Sequence, residues 1–190
     1  MRGVVAARVF TPLITGVLCC VALSACSRKP EFKAFKPSEC PLTVQMPAGQ
    51  ERRTRDYPEL RGGSITATIY ESRFDDVLYS VSCVVLPAEV SAALRRTSQR
   101  ELHERSARQA AAQVDGWLID ESSLVVKRKV GHDMAGYKAV IVHAGNAKRT
   151  VVGYFVSGSY YVLLEASYPH PPAYNQELYA QRFVDSMAMD

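Results

Sequence analysis

Apolar residues alternate with polar residues along much of the first half of the chain, which is the pattern of β-strands. Leu42, Val44 and Met46 alternate with polar neighbours up to a proline, and a second alternation spans residues 65–70. Residues 77–86 form a run rich in β-branched and aromatic side chains that stops at another proline. Because successive strand residues point to opposite faces of a sheet, these segments predict three strands with at least one buried face.

The spacing of the apolar positions becomes helical in two later segments. Ser98 and Glu101 stand at the spacing of a capping box, in which the serine accepts a backbone proton of the first turn. Small and apolar residues then recur every three or four positions up to Val114, which predicts a helix. The tail, residues 173–190, shows an aromatic and methionine stripe at the same spacing and predicts a second helix.

Between these helices, four strand patterns follow one another with short turns. They cover residues 124–130, 137–144, 149–156 and 160–168. Consecutive strands joined by short turns form an antiparallel meander, and the last three are nearly continuous in apolar residues. Strands of that kind are covered on both faces. We therefore expect an α+β fold in which a central antiparallel β-sheet is flanked by helices.

The first 25 residues have the layout of a secretory signal peptide. Arg2 and Arg8 precede an apolar run that ends at Leu23. The run is shorter than the roughly 20 apolar residues that a membrane-spanning helix needs, and a proline interrupts it. We therefore expect these residues to be removed from the mature protein. An ordinary secretory signal and a retained membrane anchor are the alternatives.

Residues 23–26, Leu-Ser-Ala-Cys, resemble the lipobox of bacterial lipoproteins. The resemblance implies cleavage between Ala25 and Cys26, attachment of a lipid to the Cys26 thiol, and anchoring in the bacterial cell envelope. Two or more fatty acyl chains hold a protein firmly, at about 0.8 kcal/mol per buried methylene. Ser27 follows the lipid site. Since it is not an aspartate, the family pattern favours the outer membrane, facing the periplasm, if the cell has two membranes.

The mature chain divides into a tether and one domain. Residues 26–39 carry prolines and basic residues and predict a flexible tether after the lipidated cysteine, and residues 40–190 are enough for a single domain. Without the signal peptide the chain has 21 basic and 19 acidic residues, which is too balanced for the basic face of a nucleic-acid-binding protein. Cys40 and Cys83 remain. In an oxidising compartment they pair in a disulfide or stay as two buried thiols.

The sequence offers no recognisable catalytic, cofactor or metal site. Its four histidines show no close metal-ligand spacing, and no nucleophile elbow or phosphate-binding glycine loop is present. The aromatic surplus of the last two strands, Tyr154, Tyr160, Tyr161 and Tyr168, has two explanations. These residues could form an interaction surface, because tyrosine is favoured at interfaces, or they could be ordinary sheet residues.

The order of the elements resembles the PsbP-like fold, which includes bacterial DcrB-type lipoproteins. The features that carry the resemblance are the early strand LTVQMP at 42–47, Gly136-Tyr137 at the start of a meander strand, and the terminal RFVDSMAM at 182–189. The sequence departs from the family pattern at Met187, where an aromatic residue is common. The resemblance implies an α/β/α sandwich, no catalytic residues, and a role in binding or assembling proteins.

We therefore expect a lipid-anchored envelope protein whose domain is a non-enzymatic binding module for a protein partner. Two alternatives stay open. The domain could hold a small apolar ligand such as a lipid between sheet and helix, or it could shield the apolar segments of a client protein.

Overall fold

The structure is a computed structural model that describes residues 30–58, 64–94, 97–173 and 175–190. The predicted signal peptide and the lipobox, with Ala25 and Cys26, lie outside these residues. Within them, no helix is both long and apolar enough to cross a membrane.

Strands account for most of the described chain. They are β1 (Phe32–Phe35), β2 (Leu42–Pro47), β3 (Glu51–Pro58), β4 (Ser64–Phe74), β5 (Val77–Val85), β6 (Trp117–Arg128), β7 (Met134–Val142), β8 (Lys148–Ser157), β9 (Tyr160–Pro169) and β10 (Ala188–Met189). The α-helices are α1 (Ala88–Leu94), α2 (Gln99–Ala112) and α3 (Gln176–Asp185), and residues Ala144–Asn146 form a short 3-10 helix.

All these strands join one sheet. Its order is β1-β2-β10-β6-β7-β8-β9-β5-β4-β3. Neighbours run antiparallel except β10 and β6, which run parallel. The predicted antiparallel meander is confirmed in β6–β9, where consecutive strands are paired.

The sheet curls into a half-barrel, so that strands near its opposite edges meet. β2 is second in the sheet order and β4 is ninth, yet the two are in contact. The Ser72 hydroxyl in β4 donates a hydrogen bond of 3.0 Å to the backbone oxygen of Ala48, just after β2. Tyr70 in β4 donates to the Glu39 carboxylate, which also accepts from Arg52 in β3.

A disulfide closes this curl. It joins Cys40, which precedes β2, to Cys83 in β5, and the two Cα atoms lie 6.0 Å apart. Both residues are buried. The predicted pairing of Cys40 with Cys83 is therefore supported, and the bond ties together two parts of the sheet that are not neighbours.

Helix α3 fills the concave side of the half-barrel. It contacts strands from both halves of the sheet, namely β2, β5, β6, β8 and β9. Phe183 and Val184 on this helix are completely buried. Gly153, in the middle of β8, makes room for the helix, because a Cβ atom at this position would lie 2.6 Å from Cγ1 of Val184. The concave core is thus filled by the single helix α3 and the strands that curl around it.

The prediction of a helix-flanked α/β/α sandwich is wrong. Helix α2 does pack on the opposite, convex face, mainly against β6, β7 and β8, and its His103 also contacts Tyr161 of β9. In the described residues, α2 leaves much of the convex face of β5, β4 and β3 open as a groove. The apolar strands are covered on their inner side because the sheet bends around one helix, and a second helical layer is not needed.

The structure differs from the sequence-based predictions at three further places. β1 lies inside residues 26–39, which were predicted as a tether, and it pairs with β2, so the folded body begins before Cys40. β3 occupies a charged segment in which no strand was predicted. The tail helix ends at Asp185, and the residues after it include β10.

A buried histidine lies between α2 and the sheet. His103 lies beside Tyr154 and Tyr161, with ring centroids 6.2 and 6.5 Å away. Burial lowers the pKa of His103 to about 4, and its Nε2 atom has no hydrogen-bond partner among the described residues. At neutral pH the ring is therefore uncharged and packs as a largely apolar group.

The disulfide predicts a large effect on stability. Removing it with Cys40→Ala and Cys83→Ala frees a loop with a sequence separation of 43 residues in the unfolded chain. The chain-entropy relation gives a loss of about 4 kcal/mol in the free energy of unfolding. Urea unfolding of both proteins measures the difference. Wild-type protein in reductant should match the double variant, and equal stability of oxidised wild type and variant would contradict the prediction.

His103 predicts a loss of stability in acid. The unfolded chain protonates this histidine below its ordinary pKa of 6.5, whereas the folded chain resists protonation until about 4. The contribution of neutral His103 to the free energy of unfolding is therefore fully present above pH 6.5 and is lost as the pH falls toward 4. The loss relative to His103→Gln should reach roughly 2 to 3 kcal/mol, measured by urea unfolding at pH 7 and pH 4. If the free energies of unfolding of the two proteins changed equally between pH 7 and pH 4, a buried neutral imidazole at position 103 would be contradicted.

Candidate functional site

An open depression on the described surface lies on the convex face, beside α2. It is a groove of about 640 Å³. Helix α2 forms one wall and β3 forms the other, while β4, β5, β8 and β9 supply the floor. The groove exists because α2 covers only part of the convex face.

The groove has an apolar floor and polar walls. The floor side chains are mostly aliphatic or aromatic and come from alternate positions of each strand, which point to this face: Ile65, Ala67, Val84, Tyr154, Tyr161 and Leu163. The wall on α2 presents Ser106, Gln109 and Ala110, followed by the C-cap residue Gln113, and the wall on β3 presents Arg55. A surface of this kind combines apolar contact area with hydrogen-bonding groups at its rim.

One carboxyl group lies in the floor. Burial, together with the nearby Glu71, raises the pKa of Glu165, while Lys148, Arg53 and Arg55 lower it less strongly. Arg53 is itself paired with Glu71 across the β3–β4 ladder. A half-buried carboxyl with a raised pKa favours a ligand group that donates a hydrogen bond or carries positive charge.

A smaller recess of about 240 Å³ lies at the amino-terminal end of α2. It is lined by Arg100 and His103 of the helix and by Glu121 and Tyr137 of the sheet. Arg100 is paired with Glu104 in the next turn of the helix, and the Tyr137 hydroxyl donates to Glu121. Because these charged groups satisfy one another, the recess carries less binding capacity than the groove.

The four tyrosines, for which an interaction surface and ordinary sheet packing were the two explanations, do not lie on one surface. Tyr154 and Tyr161 lie on the convex face, with Tyr154 buried beneath α2. Tyr160 and Tyr168 point to the concave side, where Tyr168 is buried in the core. The reason is the two-residue period of a strand, which separates even from odd positions of β9. Only Tyr154 and Tyr161 line the groove.

Sequence reasoning missed the residues that give the groove its polar character. Glu165 stands in the apolar run YYVLLEA, and a charged residue inside such a run is a signal that could have been used. Arg55 lies on a strand that was not predicted. Among the described residues, no group of three or more His, Cys, Asp or Glu side chains is arranged to hold a metal ion.

Comparison with known proteins gives a likeness in fold. No protein-family model matches the chain, and no match was found among curated proteins. A solution structure of cyanobacterial PsbP (CyanoP) from Synechocystis sp. PCC 6803 superposes with a TM-score of 0.54, covering 89% of this chain and 99% of that one. The two sequences are 9% identical. The chain therefore has a PsbP-like fold, as its order of elements suggested.

Proposed function

We propose that this protein is a lipid-anchored bacterial envelope protein and that its domain is a non-enzymatic module that binds a protein partner in the convex groove. The observation that carries the proposal is the open groove with its apolar floor. The PsbP-like fold agrees with this function, because the resemblance to that family implies a role in binding or assembling proteins.

The shape of the groove favours a protein segment as its occupant. The groove is open along α2, so that a chain can lie across it, and its walls carry amide, hydroxyl and guanidinium groups suited to a polypeptide backbone. In the described sheet β3 pairs with β4 alone, so its other edge can add hydrogen bonds to an extended segment. Glu165 would then favour a partner side chain that donates a hydrogen bond or is basic.

A small apolar ligand is the second candidate function. The volume of the groove lies within the usual range for ligand sites, roughly 300 to 1,000 Å³. Such sites usually enclose most of the ligand, however, and the part of this protein that is enclosed, the concave core, is filled by α3. A ligand would therefore have to bind in the open groove, and it would compete there with the proposed partner.

The lipid anchor is tested by Cys26→Ser, with Cys20→Ser as a matched control inside the signal peptide. We expect wild type and Cys20→Ser to sediment with membranes and to carry an acyl mass on residue 26. Cys26→Ser should lose the acyl mass and leave the membrane fraction, because no lipid chain then holds it. Intact-mass spectrometry of both fractions gives the result. An unmodified residue 26 in the wild-type protein would contradict the proposed lipid anchor.

The groove is tested by placing a photocrosslinking residue, benzoylphenylalanine, at the carboxyl-terminal end of α2 in the host cell. Gln113 lines the groove, whereas Ala112 is exposed and lies outside it. We expect a protein adduct from position 113 at a yield several-fold above that from position 112. Adding Ala110→Trp should abolish the adduct, because an indole at this position fills the groove.

The identity of the adduct separates the two candidate functions. A protein adduct confined to position 113 supports the binding module. An adduct with the mass of a lipid at the same position favours the small apolar ligand instead. Equal yields at positions 112 and 113, or an adduct that survives Ala110→Trp, would show that the groove is not the binding site.

A further inference from the structure

A second depression, which we call the end pocket, lies where β4, β5, β8 and β9 reach the same end of the sheet. It has a volume of about 360 Å³ and opens to solvent. Its wall includes Arg73 at the end of β4, Leu78 of β5, Lys148 at the start of β8, and Ser167 of β9. The four strands are consecutive neighbours in the sheet, so their ends bring these side chains together.

The cations of the end pocket are not neutralised by ion pairs. Neither Arg73 nor Lys148 lies within salt-bridge distance of a carboxylate in the described residues. Among the described residues that line the pocket, Asp76 is the one acid, and Asp75 stands next to it in the exposed turn. The wall therefore has a net charge of one positive unit.

Arg149 is a further cation at this end of β8, but its side chain lies on the opposite face of the sheet from that of Lys148 and does not line the pocket. It follows Lys148 in β8 and pairs with Tyr168 across the ladder. Its guanidinium lies 3.3 Å from Nε2 of His170, its Nε atom is buried without a partner, and it has no carboxylate within salt-bridge distance in the described residues. Two carboxylates act electrostatically at this end of the sheet, Glu165 on Lys148 and Glu177 on Tyr168, but neither is within salt-bridge distance of Lys148 or Arg149.

The end pocket lies at the end of the sheet where β1 begins. Ser72, next to Arg73, donates a hydrogen bond to the backbone oxygen of Ala48. The neighbour of Ala48, Pro47, pairs with Phe32, which is the first residue of β1. The described chain begins at Pro30, only four residues after Cys26. Four residues span at most about 14 Å, so a lipid on Cys26 holds this end close to the membrane surface.

We propose that the end pocket binds a phosphate group carrying a single negative charge. Arginine and lysine are the residues that proteins use for phosphate, arginine through its paired N–H donors and lysine as a point charge. A phosphodiester monoanion would match the net charge of the wall, whereas a dianion would meet Asp76 and Asp75. The position at the anchored end, which rests on the proposed lipid anchor, makes a phospholipid headgroup the natural source, and free phosphate is the other source of the same chemistry.

Thermal unfolding of the mature full-length protein in dodecyl maltoside micelles tests the pocket. Inorganic phosphate is one probe, and phosphatidylglycerol added to the micelles is the other, with diacylglycerol as the matched lipid that lacks phosphate. The test variant is Arg73→Gln with Lys148→Gln. The control variant is Lys127→Gln with Arg128→Gln, which removes the same charge at the opposite end of the sheet.

We expect a rise in Tm of roughly 5 °C or more at a probe concentration about a hundred times its Kd, because a ligand that binds only the folded state stabilises it. The rise should vanish in the test variant and persist in the control variant. A rise with phosphatidylglycerol but not with diacylglycerol assigns the pocket to headgroups, and a rise with inorganic phosphate alone assigns it to a free anion. No rise with either phosphate probe, or an equal loss in both variants, overturns the proposal.

Three separate readings keep this proposal distinct from the proposed function. Unchanged Tm values of both variants without a probe establish that they fold. The acyl mass on Cys26, measured on the same sample, reports the anchor, and the photocrosslink reports the groove. Failure of the anchor or of the groove therefore leaves the phosphate result readable, because inorganic phosphate reaches the end pocket without a membrane.

Discussion

Burial of a single helix determines the shape of this protein. The inward side of α3 carries large apolar residues, and each such side chain contributes roughly 1.5 to 3 kcal/mol when it leaves water. A flat sheet would cover one side of the helix, whereas the curled sheet encloses it from β2 around to β5. Gly153 allows the helix to approach the sheet closely, and the disulfide between Cys40 and Cys83 holds the curl. The packed interior follows from this one arrangement.

Both proposed binding sites lie outside that interior. Because the sheet bends around α3, its outer surface is too wide for α2 alone, and the uncovered strands become the floor of the groove. The end pocket forms where four strand ends meet beyond the last layer of the core. Side chains at these two sites have little part in enclosing α3. The groove floor is nevertheless continuous with a smaller apolar core beneath α2, to which Tyr154 belongs.

The sequence predicts the local elements of this fold better than their arrangement. The meander and α2 were expected from alternation and from helical spacing, and Ser98 accepts the backbone proton of Glu101 as the capping pattern requires. β3 was missed because its exposed charged residues show no apolar alternation. The sandwich was wrong because continuous apolar strands indicate cover on two faces without showing whether helices or curvature provide it. The two explanations for the four tyrosines could be separated only by the strand registers, which place Tyr154 and Tyr161 on one face and Tyr160 and Tyr168 on the other.

Strand β10 joins the β1–β2 pair to the rest of the sheet. Its two residues, Ala188 and Met189, lie between β2 and β6 and connect that pair to the meander. In the described chain β10 follows α3 and all four strands of the meander. The first strands therefore gain their hydrogen-bonded neighbour in the sheet from a segment that is far away in sequence, and the β1–β2 pair can join the meander in this way only after the meander and α3 have been made.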